Sequence, residues 1–287
     1  MAQLLKVQDY ISRYGTDPYR YPGRFMQLKH QNWKRIKHVW DELKEKGVTG
    51  NDVEEGIQSF VFQKGIPADE TELKQYFLDG LLPFQLKWAS RTLREKSFLD
   101  RSYYEQDSLL RYFIQRFPDT YLLMYEPIFR IKNAPIELDH MLIHPQGIYC
   151  IVYLDFQDEA ITLLPENQRT WFQDKEMVQS RMLSPLVSLQ RSTKIIKSIL
   201  HNQEIDFPVR QIVLAPNHTI SFHYEPYLTE YVGKEQYEQW FERMRSFQSP
   251  IKSTQLKAVA ALLEHTQTTA VRRPEWEEEE QDAFMNE

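Results

Sequence analysis

The chain has 287 residues, of which 41% are hydrophobic and 26% charged, which is enough apolar material for a core and excludes global disorder. Its 35 lysines and arginines are outnumbered by 41 aspartates and glutamates, and the net charge of −6 excludes a simple polycationic nucleic-acid binder. Cys150 is the only cysteine, so no internal disulfide can form. The longest apolar run, Ile148–Leu154, is far short of a membrane span, and Met1–Lys6 lacks a signal-peptide pattern, so the expectation is a cytoplasmic protein with no membrane partner.

In chain order, residues 1–98 read as mostly helical. Leu4, Val7, Ile11 and Tyr14 recur at helical steps, and Trp33, Ile36, Trp40 and Leu43 repeat the pattern. Gly47 and Gly50 close that second helix, and Asn51 or Asp52 can cap the next. A further helix is predicted around Leu73, Tyr76 and Phe77, with Asp69 or Thr71 as its cap, and Pro83 starts another through Leu93.

Near residue 99 the pattern changes. Ser102-Tyr-Tyr-Glu105 has the spacing of a capping box, with an apolar helix face following at Leu110, Phe113, Ile114 and Phe117. Three strand-like runs come next, Tyr121–Ile131, Ile136–His144 and Ile148–Phe156, the last two joined by a Pro145-Gln146-Gly147 turn. Ala160–Leu164 and Val209–Leu214 read as strands, and Pro185–Leu200, Lys234–Phe247 and Thr254–His265 as helices. The order predicts a mixed α/β protein in which helices cover a small central sheet.

Charge is unevenly placed. Glu275–Glu287 carries seven acids and no base, which leaves 34 acids against 35 bases elsewhere. This acidic tail is expected to be disordered. Residues 1–40 carry eight bases against Asp9 and Asp17, interleaved with aromatics. Cations neutralise phosphates while rings stack on unpaired bases. The helical spacing of Trp33 and Trp40 predicts burial, so Arg13, Arg20, Tyr21 and Arg24, around the irregular Tyr14–Gly23 stretch, are the nucleic-acid-binding candidates. The tail could also fold back and mask this basic face.

The segment Ile136-Glu-Leu-Asp-His-Met-Leu-Ile-His-Pro-Gln-Gly-Ile-Tyr-Cys-Ile-Val-Tyr-Leu154 resembles the core of the nuclease-related domain (NERD) family. That family is similar to restriction-endonuclease-like nucleases of the PD-(D/E)XK type. Glu137-Leu138-Asp139 matches its Glu-Ile-Asp element, and Pro145–Tyr149 matches the turn and the start of the next strand. Glu105 stands where the family has a helix Glu, and Ser184-Pro185-Leu186 resembles the Asn-Pro-Leu that opens its later helix. The resemblance covers roughly residues 99–220. It implies a restriction-endonuclease-like domain with a small mixed sheet flanked by helices (99–266), which the residue patterns place between an N-terminal helical subdomain (1–98) and the acidic tail (267–287).

The departures bear on activity. By the register from Gly147, the family's Glu falls on Val152, its Lys on Leu154, and a later Gln on Ser188. In such nucleases the Asp and Glu hold a divalent metal that stabilises the phosphoryl transition state. Val152 offers no oxygen and Leu154 no cation. Glu105 and Asp139 are therefore vestigial catalytic candidates, with Asp139 the metal candidate and Mg²⁺ a cofactor only if the chain is active. Glu105 as a cap and Asp139 as a structural carboxylate are the competing roles, and displaced carboxylates at Asp155, Asp158 or Glu159 would need a bulge. The expectation is a catalytically inactive relative that binds DNA, another nucleic acid or a protein of DNA metabolism. The alternatives are an active metal-dependent nuclease and a protein-interaction module with no nucleic-acid role.

Overall fold

The computed structural model describes residues 1–45, 62, 65–156 and 161–270. Gly47, Gly50, Asn51, Asp52, Asp158, Glu159 and the acidic run from Glu275 lie outside them. The predicted first helix is instead a strand. β1 (Gln3–Val7) is buried at every position and runs parallel to β2 (Leu122–Tyr125) at the edge of a six-stranded sheet. A short apolar run fits helix and strand spacing alike, and here pairing with β2 decides. A bulge between Leu4 and Lys6 shifts the register. The chain then makes a 3-10 turn at Arg13–Gly15, where the Ser12 hydroxyl accepts from the Tyr14 N–H.

The outer side of β1 is held by a glutamine. Gln85 accepts from the Leu4 N–H at 2.6 Å and donates to the Ala2 carbonyl at 2.9 Å. Gln85 lies in α2 (Glu70–Ala89), which Asp69 caps by accepting from Thr71 and Glu72. Pro83 sits inside this helix rather than starting a new one, and the helix stops before Leu93. Burial of Leu81, Leu82, Leu86 and Trp88 around the proline outweighs the helix bond it cannot make. α1 (Tyr21–Glu45) forms as its spacing predicts, with Trp40 and Leu43 buried against Leu73 and Trp33 partly buried beside them.

Lys6 is fully buried on β1 and donates to the carbonyls of Tyr10 at 2.6 Å and Gln267 at 2.7 Å. Burial pulls its ammonium down to about 7, against the opposing charge of Asp9. Thr269 N–H donates to Asp9 O at 2.7 Å, so the first residues of the expected tail are fastened to the start of the chain.

Two short helices follow, α3 (Arg101–Gln106) and α4 (Ser108–Arg116). Their caps are Asp100 and Asp107, not the Ser102–Glu105 box. Asp100 accepts from the Tyr103 N–H and from the Ser102 hydroxyl. Its carboxylate leaves Ser102 no capping role.

Two of the three predicted strand runs divide. The first becomes β2 and β3 (Ile128–Ile131), parted at Glu126, whose φ of 46° is left-handed. The second becomes β4 (Ala134–Glu137) and β5 (His140–His144), while the third is β6 (Gly147–Tyr153). β5 and β6 form the predicted hairpin, with His144 opposite Gly147. A Cβ on Gly147 would lie 2.7 Å from the Pro208 carbonyl, so only glycine lets the turn approach that chain.

A smaller sheet contains β7 (Thr162–Pro165), β8 (Thr170–Lys175), β9 (Val178–Leu183) and β11 (Thr219–Ile220). The β8–β9 pair was not foreseen. α5 (Leu186–Asn202) leads into β10 (Val209–Leu214), which pairs parallel to β6 and to β12 (Thr229–Val232). α6 (Lys234–Ser246) and α7 (Ser253–His265) complete the described chain.

The main sheet runs β1-β2-β5-β6-β10-β12 with a core on each face. Met141, Ile143, Ile148 and Cys150 pack with Leu189 and Ile196 of α5 and with Val259 of α7. Leu123, Leu142, Ile151 and Ile212 face Phe113 of α4 and Trp240 of α6. Trp88 belongs to the first cluster and Leu4 and Leu82 to the second, so the hydrophobic core does not divide at residue 98. The fold is mixed α/β, with a largely helical N-terminal region that contributes one strand.

Candidate functional site

Asp139 is the residue just before β5. Within the β5–β6 hairpin, His140 faces Ile151, so one step further Asp139 lies opposite Val152. Both share the face of Met141 and Cys150, toward α5. The geometry therefore puts valine where a second carboxylate would complete a metal pair. Leu154 packs against the same core and donates its N–H to Leu214 O at 2.8 Å.

A cleft of about 390 Å³ opens here, lined by Glu126, Glu137, Asp139, His140, Val152 and Arg191 among others. Asp139 is held by Ser192 of α5. The Ser192 hydroxyl donates to Asp139 Oδ2 at 2.6 Å and accepts the Asp139 N–H at 3.2 Å. Burial pushes the Asp139 carboxyl above the usual range, while the Ser192 and Ser188 hydroxyls and Arg191 oppose that shift. Glu126 is raised by burial too, although Gln8 donates to it at 3.4 Å.

Mg²⁺ takes oxygen ligands, mostly carboxylates, water and phosphate. Ser192 already donates to Asp139 Oδ2, and the residue facing Asp139 is aliphatic. Among the described residues, no three His, Cys, Asp or Glu side chains are grouped to hold a metal ion. Asp155 does not substitute, because its carboxylate accepts from Asn217 Nδ2 at 3.1 Å and lies 3.7 Å from His218 Nε2. Glu105 does not line the cleft. Asp107, the α4 cap, does not line it either; its Oδ2 accepts from the Tyr125 hydroxyl at 2.7 Å. Tyr125 stacks on His140 at 4.5 Å, and burial lowers His140 to about 4.

The N-terminal candidates separate. Tyr21 is only 9% exposed and packs edge-on to Trp88 at 5.5 Å, as does Tyr14 at 5.8 Å, so neither ring is free to stack on a base. Arg13 lies over the Trp88 ring at 4.9 Å. Arg20 and Arg24 are exposed, one turn apart at the start of α1. Lys29 is engaged with Asp119 at 2.5 Å.

His140 and His144 share a face of β5, as strand parity requires, but sit at opposite ends of it among different rings. Ser192 and Glu126 were not foreseen as site residues. For Ser192 the available signal was its i,i+4 spacing from Ser188 on a predicted helix; for Glu126 there was none.

A 41-residue stretch is 51% identical to an RNA 2',3'-cyclic phosphodiesterase of Geobacillus stearothermophilus, covering 14% of this chain and 13% of that protein. No solved structure matches the chain. No helix among the described residues is long and apolar enough to cross a membrane. The family model for the nuclease-related domain matches residues 103–216, the stretch that contains Asp107, the β5–β6 hairpin, Asp139, Val152 and Ser192. Over residues 103–216 the chain is thus similar to nuclease-related (NERD) domains.

Proposed function

We propose that this domain binds nucleic acid, or a protein partner of DNA metabolism, without cutting. The observation that carries the proposal is Val152 facing Asp139 across the hairpin, with Asp139 turned to Ser192. One carboxylate engaged with a serine makes a poor metal anchor, and phosphodiester hydrolysis in this class relies on the metal for charge stabilisation. A restriction-endonuclease-like core is supported by the element order α4, β2, β5, β6, α5, β10, with β10 returning parallel beside β6. Arg20 and Arg24, both exposed, are the cations assigned to meet phosphate.

The test combines cleavage and binding. Full-length protein with Mg²⁺ or Mn²⁺ should leave supercoiled DNA intact. Its affinity for a fluorescent oligonucleotide should fall steeply with salt, and the Arg20→Gln, Arg24→Gln double variant should reduce the log–log slope by about two. Metal-dependent nicking that disappears in Asp139→Ala would replace this proposal with an active nuclease. Salt-independent affinity would reject the nucleic-acid part and leave a protein partner.

A further inference from the structure

At the opposite end of the same hairpin, a second cleft of about 490 Å³ opens between the β5–β6 turn, the start of β10 and the end of α6. We propose that it binds a small phosphate monoester carrying a planar apolar group. It is separate from the Asp139 cleft and lies at the other end of β5.

The case rests on which polar atoms are already engaged. His144 is 2% exposed, and its Nδ1 accepts the Gln146 N–H at 3.0 Å. The ring proton therefore sits on Nε2 in the neutral form, and burial together with Arg210 keeps the ring neutral by lowering it to about 4. His144 lines the cleft, and its Nε2 has no hydrogen-bond partner among the described residues. Tyr149 stands beside Arg210 in the β6–β10 register, and neither its hydroxyl nor the Arg210 guanidinium has a hydrogen-bond or ion-pair partner there. The cleft's carboxylates are already engaged. Glu230 pairs with Arg243 at 2.5 Å, and Glu225 accepts the Tyr231 N–H at 2.7 Å.

The unspent capacity is thus three donors, one of them a full cation, while the cleft's two carboxylates each have one oxygen already engaged. That pattern selects an anion, and a guanidinium with two neutral donors suits a tetrahedral oxyanion. The walls select the remainder of the ligand. Phe247 lies 4.3 Å from the His144 ring, Tyr149 lies 5.6 Å from it, and Leu228 is 37% exposed at the rim. Such a border favours a flat apolar group attached to the anion.

Phenyl phosphate is the probe, titrated calorimetrically into the full chain beside inorganic phosphate. Wild type should bind phenyl phosphate saturably, one to one, and more tightly than phosphate. Arg210→Gln, an exposed change, should weaken binding roughly tenfold or more, and Tyr149→Phe roughly threefold. Thermal unfolding of each variant confirms its fold. No saturable binding at millimolar probe, or unchanged affinity in a folded Arg210→Gln protein, would overturn the site. Equal affinity for the two probes would overturn the apolar part of the ligand.

Discussion

The two ends of the β5–β6 hairpin are built from the same strands and carry opposite chemistry. At the Asp139 end, acid groups gather and the central one is satisfied by a neighbouring helix. At the His144 end, each acid has a partner and three donors lack one. One step in register separates residues of the two faces, so a single hairpin can present a closed acceptor site at one end and an open donor site at the other. Each end also buries one neutral histidine.

The sharpest way to break this contrast is Val152→Glu, which sets a carboxylate opposite Asp139. Calorimetry with Mn²⁺ should then show binding in the variant and none in wild type, and equal binding by both would mean that Val152 is not what closes the site. Acid should act on both ends together. His140 and His144 titrate near 4 in the folded protein against 6.5 unfolded, so below 6.5 the unfolded chain takes up protons that the folded one refuses. The stability present above 6.5 is lost as pH falls toward 4, by up to about 3 kcal/mol per histidine. Urea midpoints from pH 7 to 4.5 should fall, and His140→Gln and His144→Gln should each flatten the decline. If only one of them did, the symmetry of the two ends would fail. The smallest effect is expected from Ser192→Ala, which strands the Asp139 carboxylate and N–H and should cost about 1–3 kcal/mol in urea unfolding. No loss would mean that Asp139 finds another partner readily.

Much of the hairpin was legible because its signals are local. Pro145-Gln146-Gly147 marks the turn, parity places Val152 with Cys150, and the register from Gly147 sets Val152 against Asp139. Other features depend on distant partners. β1 is a strand because β2 and Gln85 lie beside it, more than 80 residues further along the chain. The β8–β9 turn uses Glu176 and Met177 at positive φ, without the glycine or asparagine that would have announced it. Tyr21 was a reasonable surface candidate until Trp88 buried it. Ser192 meets Asp139 across 53 residues, a distance that residue spacing cannot reveal.

The buried Lys6 has a consequence for how the chain is made. One of its two acceptors is Gln267, 261 residues later. During synthesis β1 emerges before β2 and before the Gln267 carbonyl that its ammonium needs. A charged group with a missing acceptor is costly to bury, so full closure of this edge needs residue 267 to be available. Early release at any point before residue 267 would leave that strand loose, with its pairing edge open to other chains.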